Sequence, residues 1–207
     1  LIFRNSGNDF WYSMIRDGMI QAVAKKSMDI DGQAFEPVQV FLNGEYWGIH
    51  NLREDLNEHY IEAHYGYPPE EIDMLKWDKY AICGDNVTYR NLENYLSSHS
   101  LSLDENYQYV TDRIDLNEYI NYLIIEMFFA NLDWPGNNIK YWRHRSEDGK
   151  WRWMLFDLDF TLGIYEFNPA FDMFTFTAEP NGPDWPKPPW STFLYRKLLE
   201  NQGFRAL

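Results

Sequence analysis

The stretch Tyr119-Ile120-Asn121-Tyr122-Leu123-Ile124-Ile125-Glu126-Met127-Phe128-Phe129-Ala130 constrains the fold most. Asp115 precedes it, and Glu118 follows three residues later, the pattern of a capping box that opens a helix. A helix apolar around nearly its whole circumference must be enclosed by other elements. It is too short to cross a bilayer, and the chain has no run of about 18 apolar residues, so no membrane-spanning helix is expected. The remaining sequence must therefore supply layers that cover this helix.

Those layers read as alternating helices and hairpins. Phe10, Met14, Ile15, Met19, Ile20 and Val23 share one helical face, predicting a helix over 9–24. Val38 to Leu42 alternates like a strand, Asn43-Gly44 supplies the two positive-φ residues of a tight hairpin turn, and Tyr46 to Leu52 returns. A helix is expected over 53–64, ended by Gly66 and Pro68-Pro69. A loop-rich connector follows over 66–87, then a helix over 87–98. After the central helix, Asn131 to Asn138 forms a break containing Pro135 and Gly136. Ile139 to His144 and Lys150 to Asp159 form a second hairpin around Ser146-Glu147-Asp148-Gly149. Phe167 to Pro189 reads as an aromatic, proline-rich loop, and Ser191 as the cap of a last helix over 191–201. The order predicts an α+β chain.

The net charge of −14 excludes a general nucleic-acid binder and a basic membrane-surface protein, because both need clustered positive charge. It favours cations, metal ions included. An aromatic content of 18% excludes a disordered acidic tail. With Cys83 alone, neither an intrachain disulfide nor a cysteine-based zinc cluster can form, and the thiol reads as inert. His59 and His64, five apart, fit one helical face poorly and read as structural. No Gly-x-Ser-x-Gly elbow marks a serine hydrolase.

The stretch from Asn131 to Gly163 concentrates the chemistry. Asp133 and Asn138 are five residues apart, a hairpin follows, and its second strand runs into Phe156-Asp157-Leu158-Asp159-Phe160-Thr161-Leu162-Gly163. If the strand continues through this segment, Asp157 and Asp159 share a face and Leu158 turns to the core. Phosphoryl transfer needs a carboxylate to orient the attacking hydroxyl, and an Asn oxygen with a second carboxylate to hold Mg²⁺ on the phosphates. Each motif alone equally fits a turn beside Pro-Gly or an incidental cation site.

The chain resembles the CotH kinase family, named for spore coat protein H. The resemblance covers roughly residues 3–204. It rests on Phe3-Arg4-Asn5-Ser6-Gly7-Asn8-Asp9 with Arg16-Asp17, on the hairpin Val40-Phe41-Leu42-Asn43-Gly44-Glu45-Tyr46-Trp47-Gly48-Ile49-His50-Asn51-Leu52-Arg53-Glu54, and on the Asp133–Asn138 and Asp157–Gly163 segments. It implies an atypical protein kinase-like, two-lobed fold with a small β-containing N-lobe and a mainly helical C-lobe. A single domain over 1–207 would divide into an N-lobe part (1–65), a connector with helices (66–114) and a C-lobe with the active-site loop (115–207). It further implies transfer of the ATP γ-phosphate to Ser or Thr of secreted or cell-surface proteins, outside the cytoplasm, using Mg²⁺ or Mn²⁺. Carried over by residue, Asp133 is the catalytic base, and Asn138 and Asp157 are metal ligands. Asp159 is a second ligand or a structural neighbour.

The chain departs from the usual kinase pattern in lacking a glycine-rich phosphate loop and an evident nucleotide-gripping lysine. Arg53 and Glu54 either contact nucleotide phosphate or form a salt bridge that opens a helix. Arg4 and Arg16 balance charge in the cleft or form structural ion pairs. Both chain ends read as cut from a longer protein, so the absence of a leader says nothing about export. Two other readings stand beside the kinase. One is a non-catalytic surface module, an adhesin or carbohydrate-contacting domain, for which Trp185-Pro186-Lys187-Pro188-Pro189-Trp190 would be a glycan platform rather than a packed loop. The other is a glycosidase with paired carboxylates.

Overall fold

The computed structural model describes residues 1–166, 168, 171–183 and 185–207. The chain is α+β, with two sheets and eight α-helices among the described residues. The elements follow in the order β1 (Ile2–Arg4), α1 (Arg16–Ser27), β2 (Asp31–Gly32), β3 (Phe35–Leu42), β4 (Glu45–Arg53), α2 (Glu58–Tyr65), β5 (Ile72–Lys76) and β6 (Tyr80–Cys83). Then come α3 (Val87–Ser98), α4 (Asp104–Thr111), α5 (Leu116–Phe128), β7 (Lys140–His144), β8 (Arg152–Leu155), α6 (Met173–Ala178), α7 (Phe193–Leu198) and α8 (Gln202–Arg205). An antiparallel sheet has the order β1-β4-β3. The other sheet has the order β2-β8-β7-β5-β6, with only β2 parallel to its neighbour.

The central helix forms where expected. The Asp115 carboxylate caps it by accepting from the Glu118 amide at 3.3 Å. Glu118 does not reach back to complete a capping box. Its side chain accepts from the Trp153 amide at 2.9 Å, and the Asp115 amide donates to Trp151 O instead. The helix is thereby fixed to the edge of β8. Tyr119, Tyr122, Leu123, Ile125 and Met127 are buried, while Ile124 and Phe128 are exposed, so the enclosure is not all round. One large apolar cluster joins this helix to Trp151, Trp153 and Leu155. A smaller one packs Tyr60 and Ile61 of α2 against Ile72, Met74, Trp142 and Met154 on the other side of the five-stranded sheet.

The hairpin β3–β4 turns at Asn43 and Gly44, with φ of 51° and 87°, as the Asn-Gly pair predicts. Other elements differ from expectation for local reasons. The first helix starts at Arg16, not residue 9. The buried Asp9 carboxylate instead ties a tight turn by accepting from the Ser13 amide, the Ser13 hydroxyl and the Arg16 amide. The second helix starts after Asn57, whose side chain accepts from the His59 and Tyr60 amides, while Arg53 ends β4. It ends at Gly66, φ 75°. The connector over 66–87 contains β5 and β6. β5 is buried on both faces, so its sequence does not alternate, and the β5–β6 turn uses Trp77 and Lys79 at positive φ rather than glycine.

Helix α4 also lies in a stretch with no side-chain cap to announce it. Part of the loop expected over 167–189 is helix α6; Phe167, Pro169, Ala170 and Asp184 lie outside the described residues. Ser191 caps nothing; its hydroxyl donates to Pro188 O at 2.7 Å. The last helical stretch divides into α7 and α8, the latter capped by Asn201.

Trp153 is the hinge of this packing, since its ring lies against both Tyr119 and Tyr141. Trp153→Ala is expected to lower unfolding stability by about 3–5 kcal/mol through the cavity it leaves, measured as a shift of the urea midpoint.

Candidate functional site

The segment after β8 does not continue as a strand. Asp157 adopts a left-handed backbone, φ 59°, and Leu158–Phe160 form a single 3₁₀ turn. Asp157 and Asp159 therefore meet by a turn and not by strand alternation. Leu158 is fully buried, as expected. Both aspartates converge on Arg4 at the end of β1. Its Nη2 donates to Asp157 Oδ1, and to Asp159 Oδ2 at 2.6 Å.

Asp159 is saturated by this network. Its Oδ2 also accepts from the Asn8 amide at 2.8 Å, and its Oδ1 from Asn8 Nδ2 at 3.1 Å. Gly7, φ 54°, allows that approach, because a Cβ there would stand 1.9 Å from Asp159 Oδ2. Asp157 differs, in that its Oδ2 accepts no hydrogen bond among the described residues.

A second ion pair lies against the first. Asp17, at the start of α1, binds Arg53 Nη2 through Oδ2 and accepts from the Leu158 amide through Oδ1 at 3.2 Å. Arg53 is almost fully buried under the Phe35 ring. Its Nε and Nη1, and Nε of Arg4, have no hydrogen-bond partner among the described residues. The sequence pairs Arg53 with Glu54, but the fold separates them. Glu54 bonds His64 at 2.6 Å and the Ala34 amide at 2.7 Å, away from the aspartates. Arg16 binds Asp9, and among the described residues no ion pair joins it to Asp157 or Asp159.

Asp133 and Asn138 come together directly. Asn138 Nδ2 donates to Asp133 Oδ2 at 2.8 Å, and Asn137 Nδ2 donates to both carboxylate oxygens at 3.1 Å. Asn138 takes a left-handed backbone, φ 53°. Having given its nitrogen to Asp133, it keeps Oδ1 free of hydrogen bonds among the described residues. This loop and the aspartate turn are stitched by backbone bonds, Leu132 N to Phe160 O at 3.1 Å and Leu162 N to Phe129 O at 2.9 Å.

Electrostatics mark the same neighbourhood. Burial pushes the Asp157 carboxyl up to about 6, with Asp159 and Asp17 adding and Arg4 opposing. Burial also raises Asp133, opposed by Asn137 and Asn138 and reinforced by Asp159. Burial lowers Arg53, and Arg4 adds to that, while Asp17 works against it.

Sequence reasoning missed Glu126, Asn131, Asn8 and Gly7. Glu126, on the last turn of α5, is fully buried. Its Oε2 accepts from Asn131 Nδ2 at 2.8 Å, and Asn131 Oδ1 accepts from the Asp133 amide at 3.3 Å. Burial raises its carboxyl well above the usual range, and Asp157, Asp17 and Asp133 add to that. The signal was present as a lone acid inside an apolar helix.

Among the described residues no cluster of three or more His, Cys, Asp or Glu side chains forms a metal cage. Mg²⁺ does not require one, since it is held by one or two carboxylates together with substrate phosphates and water. The free oxygens of Asn138 and Asp157 suit a hard divalent cation, while the unpartnered donors of Arg4 and Arg53 are closed off from solvent and add only their charge to the site. A family model described as CotH kinase protein matches residues 1–207, the whole chain. No curated protein matches it.

Glu126 sets a testable pH dependence. The unfolded carboxyl ionises near pH 4.3, whereas the native one holds its proton to higher pH. The native state therefore binds more protons above that point, and stability falls as pH rises. Glu126→Gln keeps an acceptor for Asn131 and is expected to flatten this fall, gaining stability over the parent from pH 5 to 8 in urea titrations. Glu126→Ala leaves Asn131 Nδ2 without its acceptor and is expected to cost about 1–3 kcal/mol.

Proposed function

The chain belongs to the CotH kinase family, and from that premise we propose that it is a metal-dependent atypical protein kinase. It transfers the ATP γ-phosphate to a Ser or Thr hydroxyl of secreted or cell-surface proteins, outside the cytoplasm. The observation that carries this reading is the stitching of the Asp133–Asn138 pair to the Asp157 turn by the Leu132–Phe160 backbone bond. A base and two cation-suited oxygens thus share one rigid frame, the set that phosphoryl transfer needs.

Asp133 accepts the proton of the acceptor hydroxyl as its oxygen bonds to the γ-phosphorus and the bond from the β–γ bridging oxygen breaks, releasing ADP. Asn137 and Asn138 orient the carboxylate for that role. Asn138 Oδ1 and Asp157 Oδ2 would hold Mg²⁺ or Mn²⁺. When bound, such a cation supplies neutralisation of charge on the transferring phosphates. Asp159 serves as the anchor of Arg4 and Asn8, which fixes the turn bearing Asp157. Arg4, whose side chain is partly exposed, would meet phosphate oxygen, and Arg53, buried beneath it, would add positive charge from below while holding Asp17. Glu54 ties the last turn of α2 to the start of β3, through His64 and the Ala34 amide.

Asp133→Ala is expected to lower kcat about 10²–10⁴-fold, with the fold intact by circular dichroism. Asp157→Ala, or EDTA, is expected to abolish transfer of labelled phosphate to an acceptor protein and to weaken ATP binding in Mn²⁺. Transfer that survives Asp157→Ala would overturn the reading. Glycan binding indifferent to both variants would favour a surface module instead.

A further inference from the structure

An apolar cavity of about 380 Å³ opens beside Asp133, and its walls include Leu132, Phe160, Ile164, Phe176, Pro183 and Trp185. We propose that it seats one aromatic or branched aliphatic side chain of the acceptor polypeptide, close in sequence to the hydroxyl that Asp133 engages. The inference rests on the reading of Asp133 given above and names the acceptor class for that site.

Three observations carry it. The first is position: the cavity and the carboxylate share their walls. Leu132 directly precedes Asp133, Phe160 directly follows Asp159, and the Trp185 side chain lies near enough to the Asp133 carboxylate to help hold its pKa down. The second is rigidity. Lys187 is buried, and its ammonium donates to Phe176 O and to Glu179 O at 3.0 Å, closing the carbonyl end of α6 and lying 4.5 Å over the Phe176 ring. Gly136 N donates to Pro186 O, joining the Asp133 loop to the far wall. A Cβ at Gly136 would stand 2.3 Å from that oxygen, so the joint needs glycine.

The third is chemistry. The named walls carry no charge, and Asp133 and Asp159 stand next to them, which disfavours an anion. A nucleotide base or a sugar needs convergent hydrogen-bonding groups that these walls do not supply. An apolar side chain asks only for removal from water, and the volume admits one with the backbone beside it. Pro183 and Trp185 are exposed, so the mouth faces solvent.

The test uses fluorescein-labelled 11-residue Ser peptides in which Phe, Leu, Ala or Asp is placed in turn at each position around the Ser. Binding to the full chain is read by anisotropy, and phosphate transfer is read separately. Phe or Leu at a fixed offset is expected to bind about tenfold or more tighter than Ala there, with Asp weakest. Pro183→Asp, at an exposed wall position, is expected to erase that preference while leaving binding of the Ala peptide unchanged. Phe176→Ala, as an independent variant, is expected to shift the preference from Leu towards Phe. The pocket assignment is overturned by no preference at any offset, including no binding, or by a preference that both variants leave intact. Competition by N-acetylglucosamine oligomers that Pro183→Asp abolishes would overturn it in favour of a glycan site. A preference without phosphate transfer sinks the kinase reading and not the pocket. Transfer without a preference sinks the pocket alone.

Discussion

The shared hydrogen bonding of Arg4 to Asp157 and Asp159 is the interaction on which the site depends. It joins the edge strand of one sheet to the turn that leaves the other. The Asp17–Arg53 pair repeats the connection one layer deeper, adding the first helix through the Leu158 amide. Buried pairs of this kind contribute little net stability, because desolvation offsets most of their attraction. Losing one partner costs far more, since the other is left charged and dry. The network therefore acts as a fixture: it holds Asp157 in a left-handed backbone that a non-glycine residue adopts only when its surroundings impose it.

The fixture is short of positive charge. Arg4 and Arg53 face Asp17, Asp157 and Asp159, and Asp133 adds its charge beside Asp159, so two guanidinium groups stand in a neighbourhood of four carboxylates. Burial eases the excess by shifting Glu126 towards its neutral form. Burial of Asp157 next to Asp159 raises its pKa despite Arg4, which is the electrostatic expression of the same shortage. A divalent cation held by Asn138 and Asp157 would cancel that deficit. An acidic chain can handle a polyanion in this way, because the charge that matters is the local one and it is set by a few residues rather than by the total of −14.

The legible part of the fold was the part written in local chemistry. The Asn43-Gly44 turn, the Asp115 cap and the α5 segment are each specified by neighbours in sequence. What escaped was specified by burial or by distance. β5 is covered on both faces and loses its alternation, and Asp73 within it is explained by Arg143, Arg145 and the Asp85 amide, all distant in sequence. At the site, spacing identified Asp133 with Asn138 and marked Asp157 with Asp159, but alternation gave the wrong reason for the second pairing. Phe3 to Asp9 entered only as a resemblance. Its physical meaning is the closeness of Gly7 and Asn8 to Asp159, some 150 residues away in sequence. Pairings of that separation leave no periodic trace.

Asp133 sits at a boundary between two kinds of surface, and the boundary follows from the chain's path. On one side the turn at Asp157 faces elements brought from the N-terminal region, all bearing charge. On the other, the segment beyond Phe160 turns back along the loop and presents rings and prolines. The loop is tied to both sides, to Phe160 by its backbone and to Pro186 through Gly136. A carboxylate placed so has a polar field on one flank to set its charge and a dry flank on the other. Burial from the dry flank raises its pKa, while hydrogen bonds from Asn137 and Asn138 keep it an acceptor. That balance fits the base role proposed for Asp133, which takes the proton of the acceptor hydroxyl as its oxygen bonds to phosphorus and surrenders it afterwards.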